Sequence, residues 1–259
     1  MTVLTSPGSI GAAASSEAVR KRLAGRQFDL GGLVFRALLL LAIALAVVVL
    51  GVLLTDVITG GWDVLSTRLG DFLSGRLSTS ATRAGVSQGL RGSFWIAVFV
   101  VGLAFPIGIG AAVYLEEYAS DSRFTRFIDI NIRNLAGVPS VVYGILGFAI
   151  FVKTLGELTG GKTLLAAGVT LAILVLPIVI ITAAEAIRAV PDSIREAGFG
   201  VGATRWEVIR SHVLPYAAPG ILTGTVLALA RALGEAAPLI LVGAVTGRLG
   251  QQTGFFDVA

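Results

Sequence analysis

Long apolar runs divide the sequence, and most of them contain no charged side chain at all. An α-helix needs about 20 such residues to cross the hydrocarbon core of a bilayer, so runs of this length limit the possible folds severely. Charged residues make up only 14% of the chain, against about 25% in an ordinary soluble domain. The sequence therefore predicts an all-α polytopic membrane protein. Its expected spans are residues 37–55, 92–115, 135–152, 163–184 and 217–245.

Basic residues between the spans indicate the orientation of the chain. Loops that face the cytoplasm carry an excess of Lys and Arg. With the N-terminus inside, twelve basic residues fall on the cytoplasmic side and six on the opposite side. We therefore expect a multi-pass protein of the bacterial inner membrane with a cytoplasmic N-terminus. Residues 1–33, rich in Ser, Ala and Gly, are expected to form a disordered cytoplasmic tail, and residues 34–259 the transmembrane domain.

Several chemistries are excluded by the composition of the chain. There is no cysteine and only 1 histidine, so neither a disulfide framework nor a cysteine- or histidine-rich metal site can form. No glycine-rich nucleotide-binding motif occurs. The net charge of +4 does not indicate nucleic acid, because the basic residues lie between hydrophobic spans. We expect the lipid bilayer as a partner, and no cofactor, metal or nucleic acid on this chain.

The loop at 185–215 is the most informative stretch of the chain. A Pro-Asp pair at 191–192 is typical of a helix start, and the glycines at 198–202 should interrupt that helix. Thr204 and Glu207 have the spacing of a capping box, which predicts a second short helix. The proline at the end of the loop is expected to stop this helix before the last span begins. The sequence thus predicts two short helices joined at a glycine corner.

Part of this loop resembles a known motif. Six residues carry the resemblance: Glu196, Ala197, Gly198, Gly202, Leu214 and Pro215. Their order and spacing are similar to the EAA loop of permeases from ATP-binding-cassette importers, although that family usually has Ala as the third residue. In the family this loop docks on the ATPase subunit. The resemblance therefore implies that these six residues couple the chain to an ATPase.

Three further segments resemble the PstA-type permeases of phosphate importers. They are PIGIGAAVYLEEYA from Pro106, LAGVPSVVYGILGF from Leu135 and ARALGEAAPL from Ala230. The resemblance implies a MetI-like bundle of six spans, of which five are visible here. It also implies three partners: a cytoplasmic ATPase subunit that uses ATP and Mg, a sister permease, and an extracytoplasmic phosphate-binding protein. The chain itself would be a non-catalytic subunit that forms the translocation path.

Two charged residues lie inside the last apolar span. Arg231 and Glu235 are four residues apart, so they share one face of a helix. A charge at mid-bilayer costs roughly 2.5–3.5 kcal/mol on insertion scales and usually faces a bundle interior or a water-filled path. The planar guanidinium suits an oxyanion, and Glu235 would neutralise it when no anion is bound. A structural ion pair is the alternative, but PstA-type permeases carry the same pair in the same motif, where it is implicated in translocation.

Other polar residues give weaker signals. Gly234 and Pro238 are able to break the helix beside the charged pair. Arg195 is expected to anchor the loop at the membrane surface. Glu116 and Glu117, which end the second span, are expected to be solvated and to contact loops.

Other functions stay open at this point. The Arg-Glu pair suits several anions, so an importer of another oxyanion or small solute is an alternative to a phosphate importer. A carrier that works without an ATPase would be expected to show inverted repeats with broken helices instead of a two-helix loop. A membrane enzyme would need a catalytic pair or metal ligands near one surface, and none is apparent. We therefore expect a subunit of an ATP-driven phosphate importer and not an enzyme.

Overall fold

The computed structural model describes residues 30–80 and 82–243. Within these residues the regular structure is helical and contains no β-strand, as the sequence predicts. Most of the expected N-terminal tail and the end of the expected fifth span lie outside the described part of the chain. The chain divides into two compact units, Met1–Arg68 and Leu69–Ala259, which are described separately.

The first unit contains one long helix, α1, Leu30–Thr67. It includes the whole expected span at 37–55 and continues beyond both ends of it. Its 38 residues correspond to about 57 Å at 1.5 Å per residue, whereas a bilayer core is about 30 Å thick. The hydroxyl groups of Thr55 and Thr59 donate to carbonyls one turn earlier, so these polar residues do not interrupt the helix. The helix is therefore longer than a single crossing of the hydrocarbon region requires.

The second unit is a bundle of helices of unequal length. Its α-helices are α2 (Leu69–Ser74), α3 (Ser87–Val113), α4 (Arg123–Ala136), α5 (Ser140–Gly147), α6 (Gly156–Thr159), α7 (Leu164–Arg188), α8 (Asp192–Gly200), α9 (Arg205–Val208), α10 (Leu214–Gly234) and α11 (Ala236–Val242). Three π-helical turns extend α3, α5 and α9 without a break, at Tyr114–Tyr118, Phe148–Thr154 and Ile209–Val213. Across the described residues of both units, 4 helical runs are long and apolar enough to cross a membrane, or up to 5 if the bent pair α4–α5 counts as one span.

The bundle is built around α7, which contacts α3, α5 and α10. Val175 and Val179 of α7 are fully buried. Glycines on the neighbouring helices let the backbones approach closely: a Cβ at Gly108 of α3 would lie 2.7 Å from Val179 Cγ1, and a Cβ at Gly224 of α10 would lie 2.5 Å from Thr182 Oγ1. Small residues at such contacts are typical of helix packing in membranes.

The expected third span is not one straight helix. The helix α4 and the run that begins with α5 meet at a 97° bend, and a Gly-Val-Pro sequence at 137–139 lies between them. Proline disfavours helical backbone in the residue before it and has no N–H to continue the hydrogen bonding of α4. The Tyr143 hydroxyl donates to the Leu135 carbonyl across the bend, at 3.0 Å. The segment able to enter the membrane is therefore Ser140–Thr154, and α4 turns away from it.

The last span differs from the expectation at both ends. The helix α9 does not stop before Pro215 but continues through the π turn into α10, which gives one helical run, Arg205–Gly234. The prediction that Pro215 ends the second helix is wrong, because the π turn closes with the Leu214 N–H donating to the Ile209 carbonyl. Pro215 then lies in the first turn of α10, directly after this π turn. At the other end Glu235 has extended backbone, with φ −86° and ψ 97°, and separates α10 from α11.

We predict that Gly108→Leu destabilises the bundle, because the new side chain would overlap Val179 on α7. Overpacking of this kind costs about 1–3 kcal/mol of unfolding free energy. Gly110→Leu is the matched control on the same helix, since a Cβ at Gly110 meets nothing within 4 Å. Thermal unfolding in detergent micelles measures the difference, and equal midpoints for the two variants would contradict the prediction.

Candidate coupling loop and translocation site

The predicted two-helix loop is present and consists of α8, a short turn and α9. Gly202 lies in the turn with a φ of +85°, in the left-handed region that glycine adopts without strain. Thr204 caps α9: its hydroxyl accepts from the Glu207 N–H, and the Glu207 carboxylate accepts from the Thr204 N–H at 2.7 Å. The predicted capping box is therefore formed. We call residues 192–208 the two-helix loop.

The two helices of this loop touch at Gly198. A Cβ at this position would lie 2.7 Å from Val208 Cγ2, closer than real side chains approach. Val208 is almost completely buried, and its β-branched side chain is stiff. Glycine in place of the alanine that is usual in the EAA motif thus lets α8 rest directly on α9.

The six predicted coupling residues divide into an internal and an exposed group. Gly198 is buried, and Leu214 is half-buried against an apolar cluster that includes Ile187 and Val213. The exposed group consists of Glu196, Ala197, Gly202 and Pro215. Gly198 and Leu214 therefore support the shape of the loop, whereas the exposed residues are accessible to a partner.

Three exposed apolar side chains on the same loop are absent from the predicted coupling set. Their exposed fractions are 48% for Phe199, 83% for Val201 and 54% for Trp206. Apolar side chains that are exposed this close together in the sequence favour a protein–protein contact, and Trp is enriched among the residues that dominate binding. The sequence did contain a signal for these three residues, because large apolar side chains lie among and just after the glycines at 198–202. We call Phe199, Val201 and Trp206 the apolar tip of the loop.

A buried ion pair joins the loop to α3. The Arg195 side chain is 18% exposed and the Glu117 side chain 8%, and the distance from Arg195 Nη2 to Glu117 Oε1 is 2.9 Å. Arg195 also donates to the Val190 carbonyl at 2.7 Å and to the Ile187 carbonyl at 3.0 Å. Glu117 belongs to the π turn after α3, and Ile187 belongs to the last turn of α7. The Arg195 guanidinium thus fixes α8 to the ends of both helices.

A second ion pair lies beside the first and nearer the surface. Arg188 at the end of α7 donates two hydrogen bonds to Glu116, one of them from Nε at 3.1 Å. The Arg188 side chain is 59% exposed. Arg133 Nη1 of α4 lies 4.0 Å from Glu185 Oε1 of α7. Charged residues therefore connect the ends of α3, α4 and α7 on the side of the two-helix loop.

These ion pairs were not expected from the sequence. Glu117 is not solvated as expected, because the π turn at Tyr114–Tyr118 places it inside the bundle. Arg195 was expected at the membrane surface, but its side chain is mostly buried and packs against Glu117. One signal was available: if two parallel spans end on the same side, acidic residues at the C-terminal end of one can meet basic residues at the C-terminal end of the other.

The predicted pair of Arg231 and Glu235 is brought together by the fold. Arg231 Nε is 3.7 Å from Glu235 Oε1, close enough for an ion pair but too far for a hydrogen bond. The side chains are 54% and 21% exposed. The helix breaks at Glu235, directly after Gly234, as the flanking residues predicted. Within the described part of the chain the Arg231 guanidinium makes no hydrogen bond, so its donors are available to an acceptor.

Pro238 also has a packing role. It is buried in α11, and a Cβ at Gly144 of α5 would lie 2.8 Å from Pro238 Cα. The short helix α11 thus rests on α5. Arg231 belongs to α10, about 39 Å along the helix axis from Arg205 in the two-helix loop.

Residues 104–255, more than half of the chain, match the family described as "Binding-protein-dependent transport system inner membrane component". The chain belongs to this family. A solved structure of the MetNI methionine ABC transporter in an inward-facing conformation aligns with a TM-score of 0.50 and 22% identity, over 62% of this chain and 72% of that one. The expected MetI-like fold is confirmed.

Two relatives are similar in sequence. The probable ABC transporter permease protein YqgI of Bacillus subtilis (strain 168) is 33% identical over 207 residues, which are 80% of this chain and 68% of that protein. The phosphate transport system permease protein PstA of Mycobacterium leprae (strain TN) is 41% identical over 160 residues, 61% of this chain and 51% of that protein. The chain spans about half the length of this mycobacterial relative. The expected resemblance to PstA-type permeases is confirmed.

We predict that Glu117→Gln destabilises the protein more than Glu116→Gln does. Removing one charge of a buried pair leaves the other uncompensated and costs about 3–5 kcal/mol, whereas an exposed pair contributes about 0–1 kcal/mol. The two glutamates differ in the burial of their partners: Arg195, the partner of Glu117, is 18% exposed, whereas Arg188, the partner of Glu116, is 59% exposed. Denaturant unfolding of the two variants in the same detergent measures the free energy of unfolding that each variant loses. Equal losses of stability would show that burial of Arg195 does not matter.

Proposed function

We propose that this chain is the membrane-spanning permease subunit of an ATP-driven phosphate importer. The observation that carries the proposal is the single helical run Arg205–Gly234, which begins beside the apolar tip and contains Arg231 near its other end. Such a run connects a surface suited to a partner protein with a charge suited to an anion. The similarity to a protein named phosphate transport system permease PstA supports phosphate as the substrate.

Arg231 is the residue proposed to meet phosphate in the translocation path. A guanidinium stays charged at physiological pH and offers paired N–H donors that match two oxygens of a phosphate. Glu235, 3.7 Å away, balances this charge when no anion is present. Glu235 also repels an anion that approaches Arg231. The pair thus lowers the energy barrier to the passage of phosphate without binding phosphate tightly. Transport needs this balance, because a site must be weak enough for its substrate to leave.

A sister permease is proposed to cover the exposed side of Arg231. The Arg231 side chain is 54% exposed on this chain alone, and a charge facing lipid at mid-bilayer costs roughly 2.5–3.5 kcal/mol on insertion scales. Leu227, one turn earlier on the same face of α10, is 65% exposed. A second permease packed against this face would enclose the charge and provide the other wall of the path.

The apolar tip is proposed to dock on a cytoplasmic ATPase subunit, which binds ATP and Mg and performs the hydrolysis. The two-helix loop and the N-terminus of the chain then lie on the cytoplasmic side, and an extracytoplasmic binding protein delivers phosphate at the other. Two connections transmit movement of the tip: the helical run to α10 and the Arg195–Glu117 pair to α3. Closure of the ATPase subunits therefore moves the helices around Arg231 and changes which side of the path is open. This chain contributes no hydrolytic chemistry.

We predict that Arg231→Ala lowers uptake of radiolabelled phosphate at least about tenfold, because a charge-assisted hydrogen bond is worth about 1.5–3 kcal/mol. The measurement uses cells without their own phosphate importer that express this chain with its cognate partner subunits. Arg231→Lys should retain part of the uptake, since it keeps the charge and loses the planar donor pair. Arg36→Ala, which changes the net charge equally on α1, is the control.

Three results would overturn parts of this proposal. Full uptake by Arg231→Ala, with the complex assembled, would remove Arg231 from the path. Uptake of sulfate or another oxyanion, and not of phosphate, by the unaltered complex would reject the substrate and keep the importer. Uptake that persists without the ATPase subunit would reject ATP-driven import.

We predict that Trp206→Ala weakens binding of the purified permease to the ATPase subunit by at least about tenfold, since the central residues of an interface often cost 2 kcal/mol or more when truncated. Trp62→Ala is the matched control, because Trp62 is 63% exposed and lies on α1, whereas Trp206 is 54% exposed on the loop. Titration of detergent-solubilised permease with labelled ATPase subunit gives the two affinities. Unchanged affinity for Trp206→Ala would exclude the apolar tip as the docking surface.

A further inference from the structure

The helix α4, Arg123–Ala136, has an uncovered apolar side that the proposed transport mechanism does not use. Phe124 is 71% exposed and Phe127 62%. Leu135, two turns further along, is 47% exposed. The Ser122 hydroxyl accepts from the Thr125 N–H and caps the start of the helix. These aromatic and aliphatic side chains are therefore presented by a well-defined helix and not by an irregular loop.

Three different sides can be distinguished on α4. Successive residues of a helix are about 100° apart, so Phe124, Phe127 and Leu135 share one side, and Arg126 and Arg133 lie on the opposite side. The side between them packs towards α7 and carries the half-buried residues Thr125, Ile128, Asp129, Ile132 and Ala136. The apolar side and the basic side thus flank the protein contact and point in opposite directions.

Neighbouring groups show at which level of the bundle α4 lies. Arg133 is 4.0 Å from Glu185, one turn before α7 ends at Arg188. Charged residues end the membrane-crossing part of α7 at this level. The run Ser140–Thr154, which enters the apolar region, leaves α4 at a bend of 97°. A helix that is nearly perpendicular to a crossing segment, at the level where the spans end, lies along the membrane surface.

We propose that α4 lies in the headgroup region of the bilayer, with Phe124, Phe127 and Leu135 inserted at the acyl boundary and its arginines beside lipid phosphates. Amphipathic helices with aromatic residues on one side and basic residues on the other bind bilayer interfaces in this way. The proposal follows from the fold and does not depend on the transported substrate.

Two observations favour lipid over a protein as the cover of this side. The first is continuity: Val142 and Ile145 on the adjoining α5 are 49% and 57% exposed, so the apolar surface extends into the part of the bundle that crosses the membrane. The second is charge: of the three arginines of α4, Arg133 pairs with Asp129 at 3.0 Å and Arg126 with the exposed Asp121 at 3.4 Å, while Arg123 pairs with no carboxylate among the described residues. The remaining positive charge complements anionic lipid headgroups.

A consequence for the bundle follows from this placement. The Arg133–Glu185 contact connects α4 to the end of α7, which is also the end held by the Arg188–Glu116 pair. A helix held in the headgroups resists displacement along the membrane normal. It therefore limits how far the end of α7 moves along the membrane normal when a partner moves the two-helix loop.

The chain contains no cysteine, so single cysteines can be labelled without altering other positions. Phe127→Cys and Arg126→Cys, each carrying a nitroxide, are assembled with cysteine-free cognate subunits in vesicles of phosphatidylethanolamine and phosphatidylglycerol. Two collision rates of each nitroxide are compared. One is with oxygen, which concentrates in the acyl region, and the other is with a water-soluble nickel chelate. We expect the ratio of oxygen to nickel collision to be several-fold higher at 127 than at 126. Phe124→Cys tests the same side if Phe127→Cys does not assemble.

Two results would overturn the proposal. Equal ratios at the two positions, with the nickel chelate reaching both, would place α4 in water. Protection of position 127 from oxygen and nickel alike would show that another protein surface covers the apolar side. Trp206→Cys on the exposed apolar tip, measured without the ATPase subunit, gives the reference value for a label in water.

Discussion

Close contact between helix backbones around α7 is the constraint on which the rest of this bundle depends. Lipid tails are as apolar as leucine side chains, so helices in a membrane gain little from apolar burial and associate through packing and polar contacts. Gly108, Gly147 and Gly224, on three different helices, rest on side chains of α7 where a Cβ would overlap them. Because α7 is fixed from three directions, the direction in which the chain leaves it towards the two-helix loop is fixed as well.

The features that the sequence could predict are those that local chemistry decides. Apolar runs locate the spans because a charge at mid-bilayer is costly, and the capping box at Thr204 and Glu207 forms because both residues belong to one turn. The charged pair at 231 and 235 could be found because two charges stand out in an otherwise apolar run. Each of these inferences needs only a few neighbouring residues.

The features that could not be predicted depend on residues that are distant in sequence, or on a choice between two permitted conformations. Glu117 and Arg195 are 78 residues apart, so their contact exists only once α3 and α7 are side by side. A proline can end a helix or be accommodated within one. The sequence at 137–139 gives a turn, while Pro215 lies inside a continuous helical run. The π turn before Pro215 decides the second case, and nothing in residues 209–213 distinguishes it from an α turn.

The π turns also show how a helix can be continuous and still have its side chains redirected. Each turn adds one residue to the hydrogen-bonded ring, so every side chain that follows is rotated about the helix axis. After α3 this rotation brings Glu116 and Glu117 to two different arginines, one exposed and one buried. The bundle thus obtains charged contacts at its rim without interrupting the backbone hydrogen bonds that lipid surroundings require.

The break at Glu235 has a mechanical consequence. Arg231 belongs to α10, whereas Glu235 leads into α11, which rests on α5 through Pro238. Glu235 caps both α10 and α11, so a displacement of α10 relative to α5 would change the separation of the two charges. Lengthening the 3.7 Å distance to about 7 Å would cost about 2 kcal/mol at an effective dielectric constant of about 20. The attraction between the two charges would therefore oppose a displacement of α10 relative to α5.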